Sequence, residues 1–293
     1  METKNNQKVN RPLLHENIEL TKTEKRILDF INSFSGDSFN YSQMELAKLT
    51  NSSNAAISRF IRKYKHQDYR NFIASLNSQL SEFSKKYPID WAENDEYRNY
   101  NLIATSHRYA IDNTYDLELL DHINNAAKLI NASRNIYIHG SGSSQRTSLN
   151  LVSNCLKIGR SVISSSDFHI FFPSLASITP NDVLIIFSNN LKTSEATFVI
   201  RKAYERKAKI IVITSNSDDK INELVDIRLL YHKIHNEAIL VPSSSKIAQI
   251  LIADLLFEAI LKDDPKSYDI LKRARKMIQE WADIDGAHGE SDF

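Results

Sequence analysis

Cysteine and glycine are nearly absent from this 293-residue chain, which has one of the former and six of the latter. A lone Cys155 excludes an internal disulfide, and with no second thiol a zinc site is not expected. Its setting, the apolar run LNLVSNCLKI, suits packing rather than catalysis. No apolar run approaches the ~20 residues that cross a bilayer. The opening METKNNQKVNRP lacks the apolar core of a signal peptide. A cytoplasmic protein with no membrane partner is therefore expected. No Gly-Lys-Ser/Thr follows any glycine turn, which excludes a P-loop. His232 and His235 stand three apart beside a strand, a spacing that does not bring both to one face, so no metal site is expected. Glu195 and His139 are near the candidate loops only in sequence and form no evident acid–base pair, so neither a catalytic residue nor a cofactor is assigned.

The length suffices for two domains with ordinary cores, and 42% hydrophobic with 25% charged residues is a globular composition. The net charge of +1 conceals an asymmetry. Residues 1–86 hold 14 Lys and Arg against 9 Asp and Glu, whereas the remainder holds 23 against 27. A basic front on a mildly acidic body points to a polyanion met by the front alone.

In that front, TKTEKRILDFINSFS (residues 21–35) repeats Ile27, Leu28, Ile31 and Phe34 on one helix face. Thr21 or Thr23 caps it, and Glu24 follows Thr21 at capping-box spacing. After Gly36-Asp37, Ser42 caps a helix through Leu49 that offers Met44, Leu46, Ala47 and Leu49 for packing. Thr50-Asn51-Ser52 breaks it, Asn tolerating the left-handed conformation of a tight turn. Ser53 then caps a helix from Asn54 to about Tyr64, apolar at Ala56, Ile57, Phe60 and Ile61. The pair reads as a helix-turn-helix. The second helix exposes Asn54 and Ser58 near its start and Arg59, Arg62 and Lys63 beyond, followed by Lys65 and His66. Short polar groups for base edges with cations for phosphates suit a recognition helix on double-stranded DNA. Ser53 serves as a cap or as a phosphate contact.

Residues 81–100, with Pro88 and mixed charge, read as a joint, and helices follow at about 101–113 and 116–131. From residue 135 strands and helices alternate. NIYIH, SVIS, DVLIIF, KIIVIT and DIRLLY are continuous apolar runs, as buried parallel strands require. The expected fold class is α/β: an N-terminal all-α helix-turn-helix domain, then a three-layer α/β domain with a five-stranded parallel sheet.

Such sheets collect ligands at the carboxyl ends of their strands. There the first strand runs into Gly140-Ser141-Gly142, with Ser143 and Ser144 opening a helix. Backbone amides at a helix start hold an anion without a lysine, the glycines permit close approach, and the serines add hydroxyls. A dinucleotide fingerprint needs a third glycine where Gln145 stands. A second loop, FSNNLKTSEA, offers Ser188, Asn190, Thr193 and Ser194 before another helix. Two hydroxyl-rich loops at one edge can surround a phosphate. The run SSSKIAQILIADLLFEAILK (243–262), apolar at Ile247, Ile250, Leu251, Leu255, Phe257 and Ile260, reads as a buried helix capped by Ser244 or Ser245. The tail GAHGESDF reads as frayed.

Two resemblances follow. The stretches LTKTEKRILDFI and ELAKLTNSSNAAISRFIRKYKHQDYRNF resemble the helix-turn-helix of RpiR/MurR transcription regulators. That family usually has glycine where Asn51, Lys65 and Asp68 stand. YIHGSGSSQ, SDFHIFFPSLASITPNDVLIIFS, KTSEA, KAKIIVIT and VPSSSKIAQILIADLLFEAIL resemble a SIS (sugar isomerase) domain over about residues 105–265. The resemblance implies DNA-binding domain 1–83, linker 84–104, SIS domain 105–265, and a C-terminal helix and tail 266–293. It further implies a homodimer or homotetramer whose SIS domain senses a phosphosugar through Ser143, Ser144, Ser188, Asn190 and Thr193, with Ser244, Ser245, Lys246 and Glu237 as lesser candidates. The family's second loop reads Ser-x-Ser-Gly-x-Thr, and here Asn190-Leu191 replaces Ser-Gly. That departure admits a regulator whose SIS fold serves only as a dimerisation scaffold; separately, an enzyme of the sugar-phosphate isomerase type is the other alternative.

Overall fold

A computed structural model of the chain describes residues 13–14, 18–34, 36, 38–87, 98–216, 223–234 and 243–289. The chain divides into two compact units, residues 1–112 with 233–244, and residues 113–232 with 245–293.

The first unit opens with four helices, α1 (Lys22–Asn32), α2 (Gln43–Leu49), α3 (Asn54–Lys63) and α4 (Tyr69–Lys86). Each begins where a polar side chain satisfies an otherwise unpaired amide. Thr21, Ser42, Ser53 and Asp68 accept from the N–H of Glu24, Glu45, Ala56 and Asn71. The first two starts are full capping boxes. α2 ends on Asn51 at φ 46°, and the Ser52 amide donates to the Ala47 carbonyl at 2.8 Å. This is a Schellman closure. Lys65, at φ 61°, closes α3 the same way, the His66 amide donating to Ile61 at 3.0 Å. Asp68 instead has an extended backbone, φ −147°, and caps α4, so no glycine is needed there.

Ile27, Leu28, Ile31, Phe39, Leu46, Ile57, Phe60 and Phe72 form the core of these helices. Met44 and Leu49 do not join it; they are 71% and 52% exposed. Leu46 and Ala47 define the buried face, and Met44 and Leu49 each lie about 110° from its centre. Next comes α5 (Arg98–Thr114), whose Leu102 and Tyr109 pack with Tyr87 and Ile234. Pro88, Trp91 and the rest of 88–97 fall outside the described residues.

The second unit begins with α6 (Leu117–Ala132) and then alternates: β1 (Ile136–Gly140), α7 (Ser143–Lys157), β2 (Val162–Ile163), α8 (Phe168–Ser174), β3 (Val183–Phe187), α9 (Ser194–Glu205), β4 (Lys209–Thr214) and β5 (Ile227–Leu230). The strands are parallel in the order β2-β1-β3-β4-β5. Every residue of β1 and β3 is buried, which accounts for their unbroken apolar character. Tyr137, Leu184, Ile186, Ile210 and Val212 pack against Phe171 of α8 and Val199 and Ala203 of α9. Alternate positions, including Ile138 and Ile185, turn to the opposite layer, where α6 and α7 contact the strands. The helix that the alternation of strands and helices implies between β4 and β5 falls largely on 217–222, outside the described residues.

α10 (Ser243–Asp263) and α11 (Pro265–Gly289) follow. α10 buries Ala248, Ile252, Leu256 and Ile260, while Ile247, Ile250, Leu251, Leu255 and Phe257 are only half-buried. Its apolar circumference exceeds the face that the unit covers. Helix α11 continues through Gly289, so GAHG of the tail extends the helix rather than fraying from it.

Candidate functional site

Gly140 pairs with Phe187 across β1 and β3. Because those strands run parallel, residues 141–142 and 188–193 leave the same edge of the sheet. β1 is flanked by β2 and β3, so this edge lies where connections depart in opposite directions, the usual crevice of such folds.

The two glycines of the first loop have different reasons. A Cβ on Gly140 would stand 2.8 Å from the carbonyl carbon and oxygen of Ser144 and 2.9 Å from the Gln145 nitrogen. Its missing side chain therefore makes room for the first turn of α7, not for a ligand. Gly142 has φ 60° and open space where its Cβ would be. As N-cap of α7 it offers no side chain, and no side-chain cap bond is made. This helix start thus faces an exposed loop with no side-chain cap, the Ser144 amide donating to the Ser141 carbonyl at 3.2 Å. Ser141 is exposed, Ser143 half-buried and Ser144 buried.

In the second loop the polar side chains first serve the loop itself. Ser188 Oγ accepts from the Leu191 amide at 3.1 Å, and Asn190 Oδ1 from the Lys192 amide at 3.1 Å. Thr193 Oγ1 caps α9 by accepting from Ala196 at 3.3 Å. All three accept here, which leaves the hydroxyl and amide hydrogens as donors. Leu191 holds the left-handed turn at φ 55°, and its side chain packs with the cluster under α8 and α9. Lys192 is exposed.

A buried polar chain, not evident from the sequence, joins the two loops. Gln249 Nε2 donates to Ser144 Oγ at 3.1 Å and to Tyr231 Oη at 3.0 Å. Tyr231 donates to Asn189 Oδ1 at 2.5 Å, and Thr147 Oγ1 lies 2.6 Å from Gln249 Oε1. The Asn189 carbonyl accepts from Ser215, through its amide at 3.1 Å and its hydroxyl at 2.7 Å. The available signal was Gln249 itself, a lone amide inside the apolar stretch KIAQILI. Ser244 and Ser245 are buried, and the Ser244 hydroxyl donates to the Ile234 carbonyl at 3.1 Å. Lys246 is half-buried, and Glu237 and His235 lie outside the described residues.

His139 is buried at the end of β1, stacked on Phe171 with ring centroids 4.7 Å apart. Its Nδ1 has no hydrogen-bond partner among the described residues. Burial holds its pKa below the usual imidazole range, opposed by the charge of Glu195. Burial likewise pushes the Cys155 thiol up to about 12, which leaves it inert at neutral pH.

On α3, Asn54, Arg59 and Arg62 are exposed. Ser53 caps the helix, and Ser58 accepts from Gln43 Nε2 at 2.9 Å. Lys63 is engaged within the protein: its ammonium bonds Glu24 Oε2 at 2.7 Å and the Glu19 carbonyl at 3.0 Å. Burial acts to raise the Glu24 pKa, but Lys63 and Thr21 outweigh it and hold the carboxyl low.

A helix-turn-helix domain model of the rpiR family matches residues 9–83, and a SIS domain model matches residues 128–259. An HTH-type transcriptional regulator of Clostridium perfringens is 26% identical over 246 residues, 83% of this chain and 88% of that one. The HTH-type transcriptional regulator HexR of Escherichia coli is 22% identical over 263 residues, 89% and 91% of the two chains. Among solved structures, the Vibrio vulnificus NanR protein complexed with ManNAc-6P superposes with a TM-score of 0.57 at 19% identity, covering 89% of this chain and 94% of that one. That likeness bears on the fold alone. The paired domains, in this order, place the chain in the rpiR family of HTH-type transcriptional regulators.

Proposed function

We propose that the protein is a cytoplasmic regulator whose α3 reads double-stranded DNA and whose SIS domain takes a phosphorylated sugar as effector. The observation that carries the sensor half is the start of α7, which no side chain caps and which Gly142 leaves accessible beside Ser141, Ser143 and Ser144. The phosphate sits there on amide dipoles, with Ser188, Asn190 and Thr193 as donors from the second loop. Leu191 supports this reading over a mere scaffold, because it keeps the glycine-like turn while its side chain joins the core. NanR, complexed with ManNAc-6P, motivates the ligand class. The effector acts through its differential affinity for two arrangements of the DNA-binding domains.

On the DNA side, Asn54 and Ser58 contact base edges, Arg59 and Arg62 contact phosphates, and Ser53 supports the helix start. Lys63 contributes by holding α3 to α1 rather than by direct contact. Fluorescence anisotropy on operator-proximal DNA tests this at several salt concentrations. Arg59→Ala and Arg62→Ala each reduce the salt slope by about 0.9, and a phosphosugar shifts the DNA affinity of the unaltered protein. Unchanged slopes, or affinities indifferent to every phosphosugar, would count against the reading.

The proximity of Glu195 to His139 is the one feature that favours an isomerase, since aldose–ketose exchange needs a base beside the substrate. Burial and stacking of the imidazole argue for the non-enzymatic reading. Turnover of a sugar phosphate in a coupled assay decides between them.

A further inference from the structure

α11 is 25 residues long, and among the described residues nothing covers its outer part. Leu271 is buried and Ala274 half-buried, whereas every residue from Arg275 to Ile284 is exposed. Among them Met277 is 68% exposed, Ile278 54%, Trp281 66% and Ile284 59%. Ala274, Met277, Trp281 and Ile284 recur at alternating intervals of three and four, the spacing of a helix–helix seam. Ile278 lies beside the stripe, at the lip of a groove shared with Leu271 and with Phe257 of α10. An apolar stripe of this size marks an interaction surface.

The charges of the same helix identify the partner. Lys272, Arg273, Arg275 and Lys276 precede its midpoint, and Glu280 and Asp283 follow. A helix basic in one half and acidic in the other is complementary to its own reverse. We propose that the exposed half of α11 pairs antiparallel with α11 of a second copy of this chain. With Met277 of one copy against Trp281 of the other, Ala274 meets Ile284, and the two-fold axis passes near Gln279. The basic stretch of each copy then lies alongside the acidic residues of its partner, as an isologous contact requires. Parallel pairing would set like charges side by side. An unrelated protein would need only the stripe, whereas the reciprocal charges fit a second copy. The pairing does not depend on what the sheet-edge loops hold.

Sedimentation equilibrium of the full chain tests it. Trp281→Asp with Ile284→Asp weakens association by about 30-fold or more, halving the assembly mass without lowering the melting temperature. A second pair of variants reads the charges. Arg273→Glu with Arg275→Glu and Lys276→Glu makes α11 acidic on both sides of its midpoint, and Glu280→Lys with Asp283→Lys makes it basic on both. Each self-associates less than the parent, and an equimolar mixture recovers the parental mass. The pairing is overturned if the unaltered chain stays monomeric, if the Asp variant keeps its mass, or if the mixture does not recover.

Discussion

The Gln249 side chain donates to the hydroxyls of Ser144 and Tyr231 at 3.1 and 3.0 Å, tying the start of α7 to the end of β5 within a buried region. Since Tyr231 in turn bonds Asn189, the first and second loops share one polar chain through α10. A buried group deprived of its partner keeps its desolvation penalty. Gln249→Leu, close in volume, is therefore expected to destabilise the second unit by about 1–3 kcal/mol in denaturant unfolding. Asn150→Ala, which removes an exposed bond to Asp254, is expected to cost under about 0.5 kcal/mol. Equal effects would show that the chain carries no special weight.

Alanine at the two loop glycines separates packing from backbone conformation. At Gly140 the new methyl meets backbone of Ser144 and Gln145 below 3.0 Å, and α7 must move. A cost of about 1–3 kcal/mol is expected from such overpacking, together with weaker effector binding. At Gly142 nothing obstructs the methyl, and only the positive φ resists it, for about 1–2 kcal/mol. Thermal melts alongside a ligand titration distinguish the two, and a Gly140→Ala protein with undisturbed binding would refute the packing argument.

Non-glycine residues at left-handed positions set up a comparison of opposite signs. Lys65 and Lys207, at φ 61° and 59°, are exposed, so Lys→Gly at either is expected to stabilise by about 1 kcal/mol. Leu191 has a similar φ, but its side chain is buried. Relief of about 1 kcal/mol is there outweighed by the loss of roughly 1.5–3 kcal/mol of burial, and Leu191→Gly destabilises. Equilibrium unfolding of the three variants reads the signs directly.

The acid limb of stability reports on Asp182. Its buried carboxylate accepts from the amide and hydroxyl of Thr179 at 2.8 and 2.7 Å, and from the backbone and side-chain nitrogens of Asn135 at 3.1 and 2.8 Å. Burial acts to raise its pKa, but these bonds prevail and hold it below the ordinary range. With the folded value below the unfolded one, the contribution is complete above about pH 4 and is lost as pH falls through the folded value. Asp182→Asn is thus expected to cost about 1–3 kcal/mol at neutral pH, the gap closing below about pH 4. A gap independent of pH would contradict this assignment.

Much of the fold is legible in the sequence because local signals agree with tertiary ones. Thr21–Glu24, the Ser42 cap and Asn51 mark the ends of the first helices, and continuous apolar runs mark strands buried on both faces. The reading of α2 goes astray at Met44 and Leu49 because a seven-residue helix has too few turns for composition to say which apolar residues share its buried face. In α10 apolar residues run nearly all round the helix, so composition could not single out the buried row. The candidate loops are legible as glycine and hydroxyl clusters, but Gln249 and Tyr231 reach them from α10 and the end of β5, more than 80 residues along the chain from Ser144. Lys63 reads as a DNA contact because nothing local shows that Glu24, 39 residues away, lies beside it.

The proposed sensor depends on the sheet-edge loops holding a phosphate at the start of α7. Titration calorimetry of the full chain with a panel of sugar phosphates and their unphosphorylated sugars tests this most directly, alongside Ser144→Ala and Thr193→Val variants. The account predicts that at least one phosphorylated sugar binds, that its parent sugar does not, and that both variants bind it at least about tenfold more weakly, a loss of about 1.4 kcal/mol. Failure of every sugar phosphate to bind, or equal binding by the unphosphorylated sugar, would contradict it.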